Sequence, residues 1–459
     1  MEIPRLEIPA AVRRGASLFF KLAGIGLLLL LLHIPLALTH DVVKERRGFR
    51  DAAAEEIAAR WGKRQLVQGP VLVVPYAYQT EVARRTLVAG TAADVQEIQT
   101  AGAAAYFLPE RLEVEGVVTP EVRRRGIYEA VVYTVRLKFR GEFAPDFAAA
   151  GIEAGRVDWA RAQVLFGTSD LTGLRSVGAV AFGDGATTEF GAVPQAMLPL
   201  AAGVVGAGEG RRIAFGFEAT LQGSGQLLVA PVGKKTAIAL ESPWAEPSFV
   251  GAALPVERQV EPGGFSARWE SQHLSRGFAQ AWTDRQVKPG NLRERIEAAA
   301  LGVSFLQSVD TYRLAERAQK YGLLFFVLVF AVFFLFEVTA GLRIHPLQYA
   351  LVGAALCLFF LGFLALAEFV PVALAYAVSA GACTVLIAGY AWSFLRTGGR
   401  TATIGGGLAA TYGYLYYVLQ SQDFALLAGT FALFLMLATV MFVTRRVDWY
   451  APAAEPPRS

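Results

Sequence analysis

The chain has 459 residues, 54% hydrophobic and 18% charged, with a formal charge of +4 and a mean hydropathy of +0.40. That is too apolar for an average soluble protein. The Lys and Arg form no stripe with interleaved aromatics, so nucleic acid is excluded as a partner. The apolar excess falls in one run near the start and in a nearly unbroken stretch over residues 321–443, while the charge lies mostly between them.

After a short N-terminal stretch, 1–15, residues 16–39 supply the roughly 20 apolar residues that a spanning helix needs. Arg13, Arg14 and Lys21 flank it as they would a secretory signal. An uncleaved anchor is preferred, because the run is long and Leu36-Ala37-Leu38-Thr39 offers no small-x-small cleavage site. Phe49, Ala53, Ile57 and Trp61 then recur every four residues, which predicts an amphipathic helix over about 41–61 that continues the first span. Gly69-Pro70 breaks the pattern ahead of a strand at 71–76.

Period-two alternation follows. Val131, Tyr133, Val135, Leu137 and Phe139 form one apolar face, and Ile213, Phe215, Phe217, Ala219 and Leu221 form another. Shorter runs at 112–118, 227–232 and 237–240 lie between Gly, Pro and polar turns, whereas 148–155 and 198–210 are Gly/Ala-rich and read as loops. Half-buried antiparallel strands of this kind predict a β sandwich or a related two-layer fold, as one domain or two repeats. The segment 40–320 is long enough to hold a core without disulfides.

Five further spans are predicted at 322–340, 347–367, 371–394, 401–419 and 424–443, ahead of a tail at 444–459. Arg343 with His345, Arg396 with Arg400, and Arg445 with Arg446 fall at alternate ends, while Glu368 and Asp423 mark the others. The positive-inside rule then puts both termini in the cytoplasm and 40–320 in the periplasm. Trp449 and Tyr450 suit an interfacial anchor; Tyr412, Tyr414, Tyr416 and Tyr417 suit either an interface or a bundle core. Ala373, Ala377 and Gly381, and again Gly405, Ala409 and Gly413, repeat every four residues and predict close helix packing, with a Gly-lined substrate path as the alternative. The fold class is therefore a membrane protein of α+β type: one N-terminal transmembrane helix, a large mainly-β periplasmic domain, and a five-helix C-terminal bundle.

Chemistry is sparse. Cys357 and Cys383 lie in apolar helices, which suits buried thiols rather than a disulfide framework or metal site. His33, His40, His273 and His345 have no metal-ligand spacing. Gly223-Ser224-Gly225 is no nucleophile elbow, and Gly405-Gly406-Gly407 lacks the Lys-Ser/Thr of a phosphate loop. No catalytic, cofactor-binding or metal residue is assigned, and no cofactor is expected. Among ionisable residues near the membrane, Lys21 and Glu337 fall toward one end and Glu368 toward the other. Glu337 is the leading intramembrane polar candidate, with snorkelling or a helix-end role the plainer reading.

Trp61-Gly62 with Gly69-Pro70, Pro247-Ser248-Phe249 with Gly264-Phe265, and Val309-Asp310-Thr311-Tyr312 mark three blocks that resemble the CreD family of inner-membrane proteins. The first is Trp61-Gly62 with Gln65 and Gly69-Pro70 through Tyr76. The second contains Pro247-Ser248-Phe249, Gly251, Leu254-Pro255 and Gly264-Phe265 through Trp269. The third runs from Val309-Asp310-Thr311-Tyr312 through Lys320-Tyr321-Gly322, then Ile344-His345-Pro346 through Tyr349, and closes with Thr444-Arg445-Arg446 through Tyr450. The pattern departs at Ser169-Asp170-Leu171-Thr172-Gly173, where Thr172 stands in place of an expected Arg, and in the insert around 198–210. The resemblance implies a cell-envelope integrity protein linked to the CreBC two-component regulon and to altered β-lactam response. It carries over no catalytic residue.

In the shared third block, Asp310, Tyr312, Arg313, Arg317 and Lys320 are the candidates for an interface between the outer domain and the bundle, or for an anchor to phospholipid headgroups. His345-Pro346 reads as a helix start. The expected function is non-enzymatic support of envelope integrity through the periplasmic domain; the alternative is a transporter or lipid-handling permease using the bundle. The expected partners are the phospholipid bilayer and an unidentified periplasmic or membrane component, with the oligomeric state left open.

Overall fold

A computed structural model describes residues 10–88, 91–152, 156–194, 196–286, 289–305, 311–340, 344–395, 397–421 and 424–445. The chain divides into two units, one formed by residues 50–308 and the other by residues 1–49 with 309–459. The predicted outer domain, 40–320, is thus trimmed at both ends, because 40–49 and 311–320 group with the helices.

The β unit is a sandwich of two sheets around one core. Its strands β1 (Gln65–Val88), β2 (Thr91–Phe107), β3 (Arg111–Arg125) and β4 (Tyr128–Phe143) form two long hairpins. The first sheet, of ten strands, is built around β1; the second, of nine, around β3, β4 and Ile213–Ser224. The alternation in the sequence becomes burial. Leu112, Val114 and Val118 of β3 and Tyr133, Val135, Leu137 and Phe139 of β4 are buried, as are Phe215, Phe217, Ala219 and Leu221 of the strand beside them. Phe139 stacks on Phe217 at 4.6 Å and meets Phe166 of the other sheet edge-on at 5.3 Å. Both sheets feed the same cluster of buried residues, so a single domain accounts for the strands.

Three expectations change. Gly69-Pro70 does not precede the strand but lies within β1, where a bulge between Gln68 and Val71 absorbs the missing proline donor. The supposed loop 198–210 contains a strand, Leu200–Gly203, paired with Gln163–Thr168, because two small residues, Ala201 and Ala202, fit a buried sheet position. The sheets are also not purely antiparallel, since β1 pairs parallel with Gln226–Val229 and β3 with Lys235–Ser242.

Helix α1 runs without interruption over Ala10–Trp61, which fulfils the predicted continuation of the first apolar run by the amphipathic stretch. Within the β unit lies α2 (Pro289–Ala298). The helical unit contains α3 (Thr311–Lys320), α4 (Gly322–Ala340), α5 (Pro346–Ala367), α6 (Val372–Leu395), α7 (Gly398–Gln420) and α8 (Ala425–Thr444). All six predicted spans coincide with helices. By length and composition, however, four of the described helices can cross a membrane, or five if α3 and α4, bent by 50°, count as one span. Helix α7 is not among them, since Thr401, Thr403 and Gly405 through Gly407 dilute its apolar character.

The small-residue stripes do not make the helix contacts expected of them. On α6, Ala373, Ala377 and Gly381 are exposed, and the buried face is Ala375, Tyr376, Ser379, Ala380 and Cys383. On α7, Gly405 is half-buried with a neighbour at Ala388, but Ala409 and Gly413 are exposed. Tyr412 instead fills the core, 4.7 Å from both Phe325 and Phe359, and Tyr417 is exposed. The close approaches occur at Gly322, where an added Cβ would meet Leu36 and Phe360, and at Gly353, where it would meet Leu32. Isolated glycines opposite leucines on α1 therefore do what the stripes were expected to do. Gly353→Leu should destabilise the chain by about 1–3 kcal/mol through overpacking, while Gly381→Leu should stay within about 0.5 kcal/mol. Thermal unfolding of the two variants in detergent checks this, and equal effects would reject the assignment.

Candidate functional site

The three shared blocks each have a structural reason. In the first, Gly62 follows α1 with φ +141°, and a Cβ there would lie 2.5 Å from the Gln222 carbonyl oxygen. Trp61 Nε1 donates to the Tyr133 carbonyl at 3.2 Å, and Arg123 lies over the Trp61 ring at 4.6 Å. Gln65 is fully buried. Its Nε2 donates to the carbonyls of Asp170 at 3.1 Å and Gln222 at 2.9 Å, and its Oε1 accepts from Thr168 Oγ1.

The divergent loop locks the same junction. Asp170 accepts from the backbone N–H of Lys63 at 2.7 Å and of Thr172 at 3.0 Å, and Ser169 Oγ accepts from Leu66 N–H at 2.9 Å. Burial would raise the Asp170 carboxyl, but these N–H donors outweigh it and hold the group below its ordinary 3.8. A depressed carboxylate stabilises the fold above 3.8, and that contribution disappears as the pH falls from 3.8 through the folded value. Asp170→Asn should therefore lower the unfolding midpoint near neutrality, by about 1 kcal/mol in stability. The gap to wild type should close on the acid side. A gap independent of pH would show that charge is not what the junction uses.

In the second block, Phe249 meets Phe265 and Trp269 edge-on at 5.7 Å each, and Gly251 (φ +111°) and Gly264 (φ +142°) hold conformations that favour glycine. Phe265 and Trp269 are part of the core, and Phe249 packs against it. In the third block, Pro346 opens α5 as expected. His345 Nδ1 accepts from Leu347 N–H at 3.2 Å, and Gln348 Oε1 accepts from His345 N–H at 2.8 Å.

Glu337 is not a snorkelling residue. It is 9% exposed and paired with Lys21 Nζ, a partner 316 positions away that the sequence offered only as another charge near the same end. Both partners make further hydrogen bonds. Lys21 Nζ also donates to the Ile344 carbonyl at 3.0 Å, Ile344 N–H donates to Glu337 Oε1 at 3.2 Å, and Tyr349 O–H donates to Glu337 Oε2 at 3.1 Å. One carboxylate thereby joins α1, α4 and α5. Lys21→Met should cost about 3–5 kcal/mol by leaving Glu337 charged and unpaired. In the double variant Lys21→Met/Glu337→Gln most of that loss should return, because the amide oxygen still accepts from Tyr349. A double variant as unstable as the single, by thermal unfolding in detergent, would contradict the pairing.

The candidate interface residues fall together on α3, except Asp310, which lies outside the described residues. Tyr312 and Arg317 have partners in the helical unit. Tyr312 O–H donates to Glu368 Oε1 at 3.1 Å, and Arg46 lies 3.8 Å from Glu368 Oε2. Glu316 pairs with Arg47 at 3.3 Å, and Arg317 donates to the Leu419 carbonyl at 3.2 Å. Helix α3 thus ties α1, α5 and α7 within the helical unit.

Between α1 and the α3–α4 bend lies an open groove of about 870 Å³. His33, His40 and Asp41 line it from α1, and Arg313, Arg317 and Lys320 from α3. Gln319, also lining it, is 5% exposed, and among the described residues neither its Nε2 nor its Oε1 has a hydrogen-bond partner. Sequence reasoning missed Gln319 because nothing in its spacing distinguishes it from an ordinary polar position on α3. Among the described residues no three His, Cys, Asp or Glu side chains group as metal ligands. Of the loop charges used for orientation, Arg343, Arg396, Asp423 and Arg446 lie outside the described residues, as do Trp449 and Tyr450.

An N-terminal apolar helix, a large β sandwich and a set of C-terminal apolar helices define a membrane protein of mixed α/β type. Residues 17–450 match the family described as inner membrane protein CreD, and the chain belongs to that family. The inner membrane protein CreD of Escherichia coli (strain K12) is 29% identical over 452 residues, covering 95% of this chain and 94% of that one.

Proposed function

We propose that this protein supports the integrity of the cell envelope under envelope stress, including exposure to β-lactams, and does so by binding rather than by catalysis. In this reading it crosses the inner membrane six times with both termini in the cytoplasm, and its β sandwich works in the periplasm on an envelope component or membrane partner. The observation that carries the reading is how the polar groups are used. Gln65, Asp170, Glu337 and Tyr349 are each bound into joints between elements, not gathered around a space where a substrate could react.

The rings of Phe325, Phe359, Phe363, Tyr376 and Tyr412 weigh against a permease. They contact one another at 4.7–5.5 Å and fill the place where a carrier would need its path. Deleting the gene should raise sensitivity to detergents and β-lactams, and the wild-type chain supplied in trans should restore it. Unchanged sensitivity under envelope stress would sink the proposal. A reporter fused after residue 445 that is active only in the periplasm would overturn the orientation.

A further inference from the structure

The groove beside α3 carries two side chains, Lys320 and Gln319, that the described architecture leaves unused. Three permanent cations, Arg313, Arg317 and Lys320, line it with two carboxylates, Asp41 and Glu316, of which Glu316 is already committed to Arg47. Among the described lining residues cations thus outnumber carboxylates, while Arg313 and Arg317 also make contacts of their own. Lys320 is exposed, with no hydrogen bond or ion pair to it among the described residues. Leu36, Ala37 and Leu323 supply an apolar wall. Gln319 is the independent sign that something belongs there: a side chain 95% withdrawn from solvent, with a donor and an acceptor both unpaired among the described residues. Each such group costs about 1–3 kcal/mol when left unsatisfied. A ligand offering both an acceptor and a donor relieves that cost.

Position along α1 selects the kind of ligand. The lining residues His33 to Asp41 lie about 18–30 Å along the helix from Lys21, at 1.5 Å per residue, so the groove and the Lys21–Glu337 pair mark opposite ends of the apolar run. At the groove end the exposed apolar surface of Ile34, Leu38 and Leu323 gives way to Asp41, Lys44, Arg46 and Arg47. That is the depth at which a phospholipid carries its phosphate and first acyl carbons. A free phosphate would meet the cations but leave the apolar wall idle, and the volume of about 870 Å³ is far larger than a phosphate needs.

We infer that this groove is a binding site for one anionic phospholipid, with Lys320, Arg317 and Arg313 toward the headgroup phosphate, Gln319 Nε2 donating toward the ester oxygens and its Oε1 accepting from a headgroup hydroxyl, and the chains along Leu36 and Leu323. The site rests on membership in an inner-membrane family; only its assignment to the periplasmic leaflet rests on the proposed orientation. The test is native mass spectrometry of the full chain in detergent, titrated with phosphatidylglycerol or phosphatidylcholine. One phosphatidylglycerol should be retained in preference to phosphatidylcholine. Lys320→Glu should weaken phosphatidylglycerol on the order of tenfold and leave phosphatidylcholine unchanged.

Gln319→Leu keeps the side-chain size and should weaken both lipids without lowering the unfolding midpoint. If the midpoint falls and lipid affinity does not, the amide is structural and the assignment fails. Equal affinity for the two lipids, or a Lys320→Glu chain that binds phosphatidylglycerol as wild type does, would overturn the site. Displacement of phosphatidylglycerol by millimolar inorganic phosphate would replace the lipid with a free anion. These readouts are lipid affinities, so they stand or fall independently of drug sensitivity.

Discussion

A carboxylate cannot remain charged among apolar helices without a partner, and in this protein that requirement organises the helical unit. Glu337 sits in α4, whose neighbours in sequence are almost all Phe, Val and Leu. Its desolvation is offset by Lys21 and by two further donors, the Ile344 N–H and the Tyr349 hydroxyl. An isolated buried ion pair is weak support for stability, because desolvation consumes most of the attraction. Its value here is positional. Leu-rich faces slide past one another at little cost, whereas a carboxylate with three donors on three different segments has one satisfactory arrangement, so α1, α4 and α5 are held in one register.

The other end of the apolar run is organised by the same physics with more water available. Helix α3 is short and amphipathic, with Tyr312, Ala315, Ala318 and Gln319 buried and Arg313 and Lys320 exposed. It meets the polar groups that α1, α5 and α7 bring to that level, namely Arg47, Glu368 and the Leu419 carbonyl. Half-exposed pairs such as Arg47–Glu316 contribute little each. One such pair and two hydrogen bonds on a single ten-residue helix restrict its orientation far more than any one does. The bend of 50° between α3 and α4 is where this polar collar meets the apolar run.

Much of this was legible in the sequence, and the rest was hidden for identifiable reasons. Period-two alternation at Val131 through Phe139 translated directly into a buried face, because one side of a sheet strand meets a core. The four-residue spacing of Phe49, Ala53, Ile57 and Trp61 gave the helix continuation for the same kind of reason. The small-residue stripes misled, since a helix immersed in lipid has no polar side to reveal which face packs, and spacing alone does not tell a lipid-facing Gly381 from a packed Gly353. Lys21 and Glu337 were each visible as charges at one end of the apolar segments. Their union was not, because it depends on which of several helices lies beside α1. Gln319 was invisible for a related reason: an unpaired amide is defined by what surrounds it.

These joints also constrain where new contacts can form. In the β unit, buried polar groups such as Gln65 and the Arg276 guanidinium are spent on backbone carbonyls, so they leave little to recognise a partner. Burial lowers Arg276 to about 10, still well above neutral, so it remains a charged staple. Among the described residues, Trp269, Ser379, Tyr412 and Arg276 each leave one buried polar atom without a partner, whereas Gln319 leaves both of its amide ends. The first four sit in packed cores, where one missing bond is a tolerable cost of filling space. Gln319 alone of these lines an open groove whose described cations outnumber its carboxylates, and there the same cost marks a position prepared for a ligand rather than a defect of packing.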